Sequence, residues 1–200
     1  MTARAGAAAV GAAVILAGGR GRRLGGACKP LLFVDGRRII DRQLAVLRPL
    51  FAHLAIAGDD AAAFAGALPV LRDRAGPDLG PLGGLDAALA WLPAEVSSVV
   101  CVAGDMPYLA PELLVRLRDA DPAALAVVPR TARGLEPLCA RYHRALAPAI
   151  TRQLARGDRA MHALLGRVPC TFVEEPELGR LDPTGRAFVG INTPEDLVGR

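Results

Sequence analysis

The sequence predicts a three-layer α/β/α fold around a mostly parallel central sheet, and three observations carry that expectation. Short apolar runs bounded by Gly, Asp or Pro recur along the chain, with amphipathic stretches at helical spacing between them. Apolar residues make up 52% of the chain, and most are Ala, Val and Leu with few aromatics, as suits helices packed on fully buried strands. A length of 200 residues closes one such core but is too short for two with a linker, so residues 1–200 are expected to form one domain.

Taken in order, Ala12 to Leu16 reads as the first strand and leads straight into a glycine-rich turn. Ile40, Leu44, Leu47 and Phe51 then follow helical spacing, and His53 to Ala57 reads as a second buried strand that completes a βαβ unit. Val70 and Leu71 form a short third strand ending near Asp73, and Leu82 to Trp91 is expected to be a helix with Pro93 beyond its end. Ser98 to Ala103 is the best-defined strand and runs into Gly104-Asp105-Met106-Pro107. Pro111 opens a helix at its favoured first position, with Leu113, Leu114 and Leu117 on its apolar face. Leu125 to Val128 reads as another strand, and Glu136 to Arg141, of mixed polarity, as one outside the crossover pattern. Helices are expected through Leu146, Ile150 and Leu154 to Gly157, and again over Arg159 to Leu165. Thr171 to Val173 and Phe188 to Ile191 read as late strands, and Thr193-Pro194-Glu195-Asp196 as a helix opening under a Thr cap.

Charge narrows the function. The net charge of +4 comes almost wholly from arginine, since Lys29 is the only lysine in the chain. The arginines are spread out and not interleaved with aromatics, which argues against nucleic acid and leaves anionic small molecules as substrates. Cys28, Cys101, Cys139 and Cys170 show neither paired spacing nor neighbouring histidines, so neither a zinc site nor a disulfide framework is expected. The run from Met1 to Leu16 loosely resembles a signal peptide, but cleavage there would remove the first strand and its glycine turn, so a cytoplasmic location is expected. No segment is long enough to span a bilayer.

Three places can carry chemistry. Leu16-Ala17-Gly18-Gly19-Arg20-Gly21-Arg22-Arg23 follows the first strand, where glycines let backbone N–H groups approach phosphate oxygens and Arg20 and Arg23 add charge-assisted contacts. The loop matches neither the dinucleotide G-x-G-x-x-G nor the P-loop pattern, and a tight surface turn with solvated arginines is the alternative. Lys29 closes the loop and would set one mobile cation beside a polyphosphate. Asp105 stands just past the strand end where open α/β sheets bind ligands; it could hold Mg²⁺, or simply stabilise the turn before Pro107. Asp73 also ends a strand, ahead of Gly80-Pro81-Leu82-Gly83-Gly84, and could contact a ribose or base or be a plain loop residue. His53, His143 and His162 lack metal spacing and are assigned no role.

These residues resemble the molybdenum cofactor guanylyltransferases, within the Rossmann-like nucleotidyltransferases. The resemblance rests on Leu16-Ala17-Gly18-Gly19-Arg20 through Lys29-Pro30-Leu31-Leu32, on Gly80-Pro81-Leu82-Gly83-Gly84-Leu85, on Gly104-Asp105-Met106-Pro107-Tyr108-Leu109, on Glu136-Pro137-Leu138 and on Ile191-Asn192-Thr193-Pro194-Glu195-Asp196-Leu197. It implies a GTP site at Leu16, Ala17, Gly18 and Gly19, Lys29 on the phosphates, Asp73 at the nucleoside, Asp105 on Mg²⁺ and Asn192 near molybdopterin. It also implies a nucleotide-binding half over about residues 10–110 and an acceptor-side half over about 111–200, with molybdenum insertase or recipient molybdoenzymes as protein partners. Ala17-Gly18-Gly19 is similar to the guanine-using branch, whereas cytidine-using relatives read Ala-Ala-Gly. Three departures stand out: Cys28 in place of an Asp, Ala57 in place of an Asn whose contact Asp59 or Asp60 would supply, and Gly104 in place of a Cys, expected to be harmless. A CTP-using or sugar-phosphate enzyme of the same fold, and a non-catalytic nucleotide-binding module, are the alternatives.

Overall fold

The computed structural model describes residues 9–17, 28–58, 64, 66–193 and 196. Strand β1, Ala12–Leu16, is buried at every position. A short 3₁₀ turn at Lys29–Leu31 leads into a hairpin of β2, Phe33–Val34, and β3, Arg37–Arg38. Asp35 and Gly36 form its two-residue loop with φ of 49° and 75°, the left-handed pair such hairpins require. Helix α1, Ile39–Leu47, and β4, His53–Ala57, complete the first βαβ unit.

Then follow β5, Val70–Leu71; α2, Gly80–Trp91; β6, Ser98–Ala103; and α3, Pro111–Arg118. The second half contains β7, Ala126–Thr131; β8, Gly134–Leu135; β9, Cys139–His143; α4, Ala147–Ala155; α5, Met161–Leu165; β10, Cys170–Val173; and α6, Glu177–Leu181. The main sheet has the order β10-β7-β9-β6-β1-β4-β5, with β8 paired to β7.

Alternate residues of the central strands feed two apolar layers. Ala12, Val14 and Leu16 pack with Leu82, Leu85 and Leu89 of α2 and with Ile150 and Leu154 of α4. Ala13 and Ile15 point the other way, into the cluster of Ile40, Leu44 and Leu47 of α1 with Leu113, Leu114 and Leu117 of α3. This is the expected α/β/α sandwich, and among the described residues of the seven-strand path β9 alone runs antiparallel to both neighbours.

Two expectations are corrected. The strand foreseen at Glu136–Arg141 begins at Cys139, because Glu136 and Pro137 are spent on a turn closed by the Cys139 N–H donating to the Glu136 carbonyl at 3.1 Å. Phe188–Ile191 is not a strand: Ile191 buries its side chain with Val34 and Ile39, and its N–H reaches the Asp105 carbonyl at 2.9 Å. The segment is held by its Ile191 bond, by the Ile191 side chain and by Phe188 packed against the α1–α3 cluster, and among the described residues it pairs with no strand. The helix foreseen from Thr193 onward includes residues outside the described set.

Gln43, fully buried on α1, ties that helix to the loop after β6. Its Nε2 donates to the Ala103 carbonyl at 2.7 Å and to the Met106 carbonyl at 3.0 Å. Gln43→Leu keeps the volume but removes both donors from buried carbonyls, and is expected to cost about 1–3 kcal/mol of stability in urea unfolding. An unchanged urea midpoint would mean that the loop is held by other contacts.

Candidate active site

β1 pairs in parallel with β4 on one side and β6 on the other, and the register places Leu16 beside Ala103. The chain leaves β1 for α1 and β4, while β6 lies on the opposite flank, so a crevice opens between the carboxyl ends of β1 and β6. Lys29 follows the β1 exit and Asp105 follows the β6 exit. Both converge there: Lys29 Nζ donates to Asp105 Oδ2 at 2.8 Å and to Asn192 Oδ1 at 2.6 Å.

Local structure explains the convergence. Pro30, buried, fixes the 3₁₀ turn that presents Lys29. The Gly104 N–H donates to the Leu16 carbonyl at 2.9 Å, extending the β1–β6 pairing into the loop that bears Asp105. A Cβ on Gly104 would stand 2.8 Å from Pro30 Cγ and 3.2 Å from the Leu16 carbonyl oxygen. At Gly104, where relatives were expected to carry Cys, the missing side chain lets the Asp105 loop lie against the proline next to Lys29.

Asn192 arrives by a different route. The Ile191 bond to Asp105 sets its height, and the Asp196 carboxylate accepts the Asn192 and Thr193 N–H groups at 2.9 Å each. Leu16 and Ala17 line a small pocket of about 60 Å³ with Lys29 and Asp105. The Ala17 N–H donates to the Ala57 carbonyl at 2.7 Å, so the β1 exit is pinned to β4 by backbone where relatives were expected to place an Asn side chain.

Asp73 does not line that pocket; its Oδ2 accepts the Leu79 N–H at 3.1 Å, at the start of α2. Cys28 is half-buried against the apolar cluster of α1 and α3, so the position before Lys29 carries packing in place of charge. Gly18, Gly19, Arg20, Arg23, Asp59 and Asp60, all singled out from sequence, lie outside the described residues.

Sequence reasoning missed a second feature. Beyond Asn192 lies a cleft of about 850 Å³, lined among others by Tyr108, Arg133, Glu136, His162 and Arg186. The Tyr108 ring is flanked by two guanidinium groups, Arg186 at 3.5 Å and Arg42 at 5.2 Å from its centroid. Burial pushes the Glu136 carboxyl up, only partly offset by the Thr131 hydroxyl, Arg133 and His162. Tyr108 and Glu136 fall within strings that carry the family resemblance, but nothing in those strings marks a shared cleft, because its lining comes from separate segments that only the folded chain brings together.

An open α/β sheet with a lysine and a carboxylate meeting at its switch point defines a protein that handles phosphorylated ligands. The chain belongs to the MobA-like NTP transferase domain family, which it matches over residues 13–171, and is a nucleotidyltransferase. It is 36% identical over 197 residues to a probable molybdenum cofactor guanylyltransferase of Methanosarcina mazei, covering 92% of this chain and 87% of that one. The molybdenum cofactor guanylyltransferase of Rhodopseudomonas palustris is likewise 36% identical, with 92% and 90% covered. Molybdopterin-guanine dinucleotide biosynthesis protein A from Archaeoglobus fulgidus superposes with a TM-score of 0.79 at 27% identity, over 93% of this chain and 94% of that one. Among the described residues no helix is long and apolar enough to cross a membrane.

Proposed function

We propose that this chain transfers GMP from GTP to the terminal phosphate of molybdopterin, releasing pyrophosphate and forming molybdopterin guanine dinucleotide in the cytoplasm. The observation that carries the reading is the contact of Lys29 with both Asp105 and Asn192 on the ridge between the pocket that Leu16 and Ala17 line and the 850 Å³ cleft that Asn192 lines. A nucleotide on one side and an acceptor on the other would meet at that ridge.

The terminal phosphate oxygen of the acceptor attacks the α-phosphorus in line, a new P–O bond forms, and the bond to the β-phosphate breaks with its electron pair leaving on pyrophosphate. The attacking oxygen is already anionic, so no general base is needed. Lys29 stands where it can neutralise charge that accumulates on the departing group. Asn192 and Asp105 hold its ammonium in place.

A divalent ion fits the donor set. Among the described residues no cluster of three or more His, Cys, Asp or Glu could hold a metal. Mg²⁺ that bridges substrate phosphates needs only one or two protein oxygens, however. Asp105 offers Oδ1 on a side kept open by Gly190, where an added Cβ would stand 3.3 Å away. When bound at Asp105, Mg²⁺ would supply charge neutralisation on the phosphates. Asp73, which follows β5 and accepts the Leu79 N–H just before α2, would face the nucleoside.

Incubation with molybdopterin, molybdate, Mg²⁺ and each nucleoside triphosphate in turn, followed by identification of the dinucleotide, tests the reading. GTP is expected to be preferred over CTP by about tenfold or more in kcat/KM. Equal use of CTP would reject the guanine assignment, and GTP binding without pyrophosphate release would favour a non-catalytic module.

A further inference from the structure

The cleft beyond Asn192 holds one carboxylate that the proposed chemistry leaves unused. Glu136 sits on the turn between β8 and β9, and its backbone is held at both ends: its N–H donates to the Pro129 carbonyl at 2.9 Å and its carbonyl accepts from Cys139. The side chain is only 18% exposed. Thr131 Oγ1 lies 3.2 Å from Oε1, and Arg133 Nη2 stands 3.8 Å from the same oxygen. Oε2 makes no hydrogen bond among the described residues. The other carboxylate lining the cleft, Asp196, spends Oδ2 on the Asn192 and Thr193 N–H groups.

The occupant of this cleft has two chemically distinct ends under the function proposed above, on which this inference rests. A phosphate must reach the ridge at Lys29 and Asn192. The other end is a pterin, whose amino-pyrimidinone edge points an exocyclic amino group and a ring N–H in the same direction. Two parallel donors match the two oxygens of one carboxylate. We propose that Glu136 is the specificity-determining residue for the acceptor, reading the amino-pyrimidinone edge of its pterin, with Arg133 and Arg186 on the cleft wall facing the anionic portion.

The guanine of GTP carries the same edge, so position has to decide between the two. Glu136 belongs to the β7–β9 side of the sheet, across β6 from β1, whereas Leu16 and Ala17, where the nucleotide is expected, stand at the end of β1. The carboxylate is also poorly solvated in the free protein: burial raises its pKa, so an ionised Glu136 disfavours folding above its unfolded pKa and is relieved by two N–H donors.

Steady-state assays of wild type, Glu136→Gln and Glu136→Ala against molybdopterin and GTP, with thermal melts at neutral pH, test this. KM for molybdopterin is expected to rise about 10- to 100-fold in both variants, with KM for GTP unchanged within about twofold and Tm of Glu136→Gln equal to or above wild type. An unchanged KM for molybdopterin overturns the proposal. So does a rise confined to GTP, which would make Glu136 a guanine reader, or a lowered Tm with equal loss for both substrates. Wild-type turnover keeps the two levels apart: no dinucleotide from the wild type rejects the proposed function itself, whereas wild-type turnover with indifferent variants rejects only the role of Glu136.

Discussion

Asp105→Ala and Asp105→Asn are both expected to lower kcat for pyrophosphate release by about 10³-fold or more while the protein stays folded. The carboxylate touches Lys29 Nζ and presents its other oxygen beside Gly190, so each variant removes a charge from the centre of the site. Asn preserves shape and can still accept from Lys29; equal loss in both variants therefore assigns the effect to charge. The fold should tolerate the change, because the Asp105 carbonyl that holds Ile191 is backbone and survives any substitution. The ion pair with Lys29 is partly exposed, at 23% and 19% for the two side chains, and breaking it should cost about 1 kcal/mol or less. For a chain of this size that is a fall in Tm of about 2–4 °C. Near-wild-type turnover of Asp105→Asn would remove the residue from the chemistry, and a collapse of Tm would turn its role into a structural one.

How far these residues could be read from sequence depends on what each one needs. β1, β4 and β6 begin and end where the apolar runs do, because a strand buried on both faces must be apolar throughout and its ends are marked by Gly, Asp or Pro. Pro111 marked the start of α3 for the same local reason. Lys29 and Asp105 were legible as members of two strand exits. Their contact was not, since it depends on β6 lying next to β1 with Leu16 beside Ala103, and pairing order is a property of the whole sheet.

The β2–β3 hairpin was missed although Asp35-Gly36 is a strong two-residue turn signal; its strands are two residues long and too short for alternation to register. At Phe188–Ile191 apolar content misled, because Ile191 is buried by docking on Val34 and Ile39 without any strand partner. Glu136 and His162 fall in the same class as the Lys29–Asp105 contact. Nothing within a few residues of either distinguishes a cleft wall from a surface.

Lys29→Ala should reduce kcat by about 10²- to 10³-fold, and Lys29→Arg should restore little of it. The ammonium meets two oxygens at once, 2.8 Å away on Asp105 and 2.6 Å away on Asn192, at the edge of a pocket of about 60 Å³ that Pro30 and Gly104 also line. A compact point charge with three donors suits that setting. A planar guanidinium cannot occupy it without displacing the Asp105 loop, which already lies against Pro30. Because the chain has no other lysine, an amine-selective reagent offers a second measurement that involves no substitution. Peptide mapping separates the Lys29 ε-amine from the N-terminal amine, and loss of activity should follow modification of Lys29 with a one-to-one stoichiometry. GTP should protect Lys29 from the reagent if its phosphates lie against the ammonium, and molybdopterin alone should protect it less. Full activity after complete modification of Lys29 would show that the charge at the strand exit is dispensable, and with it the electrostatic account of the transfer.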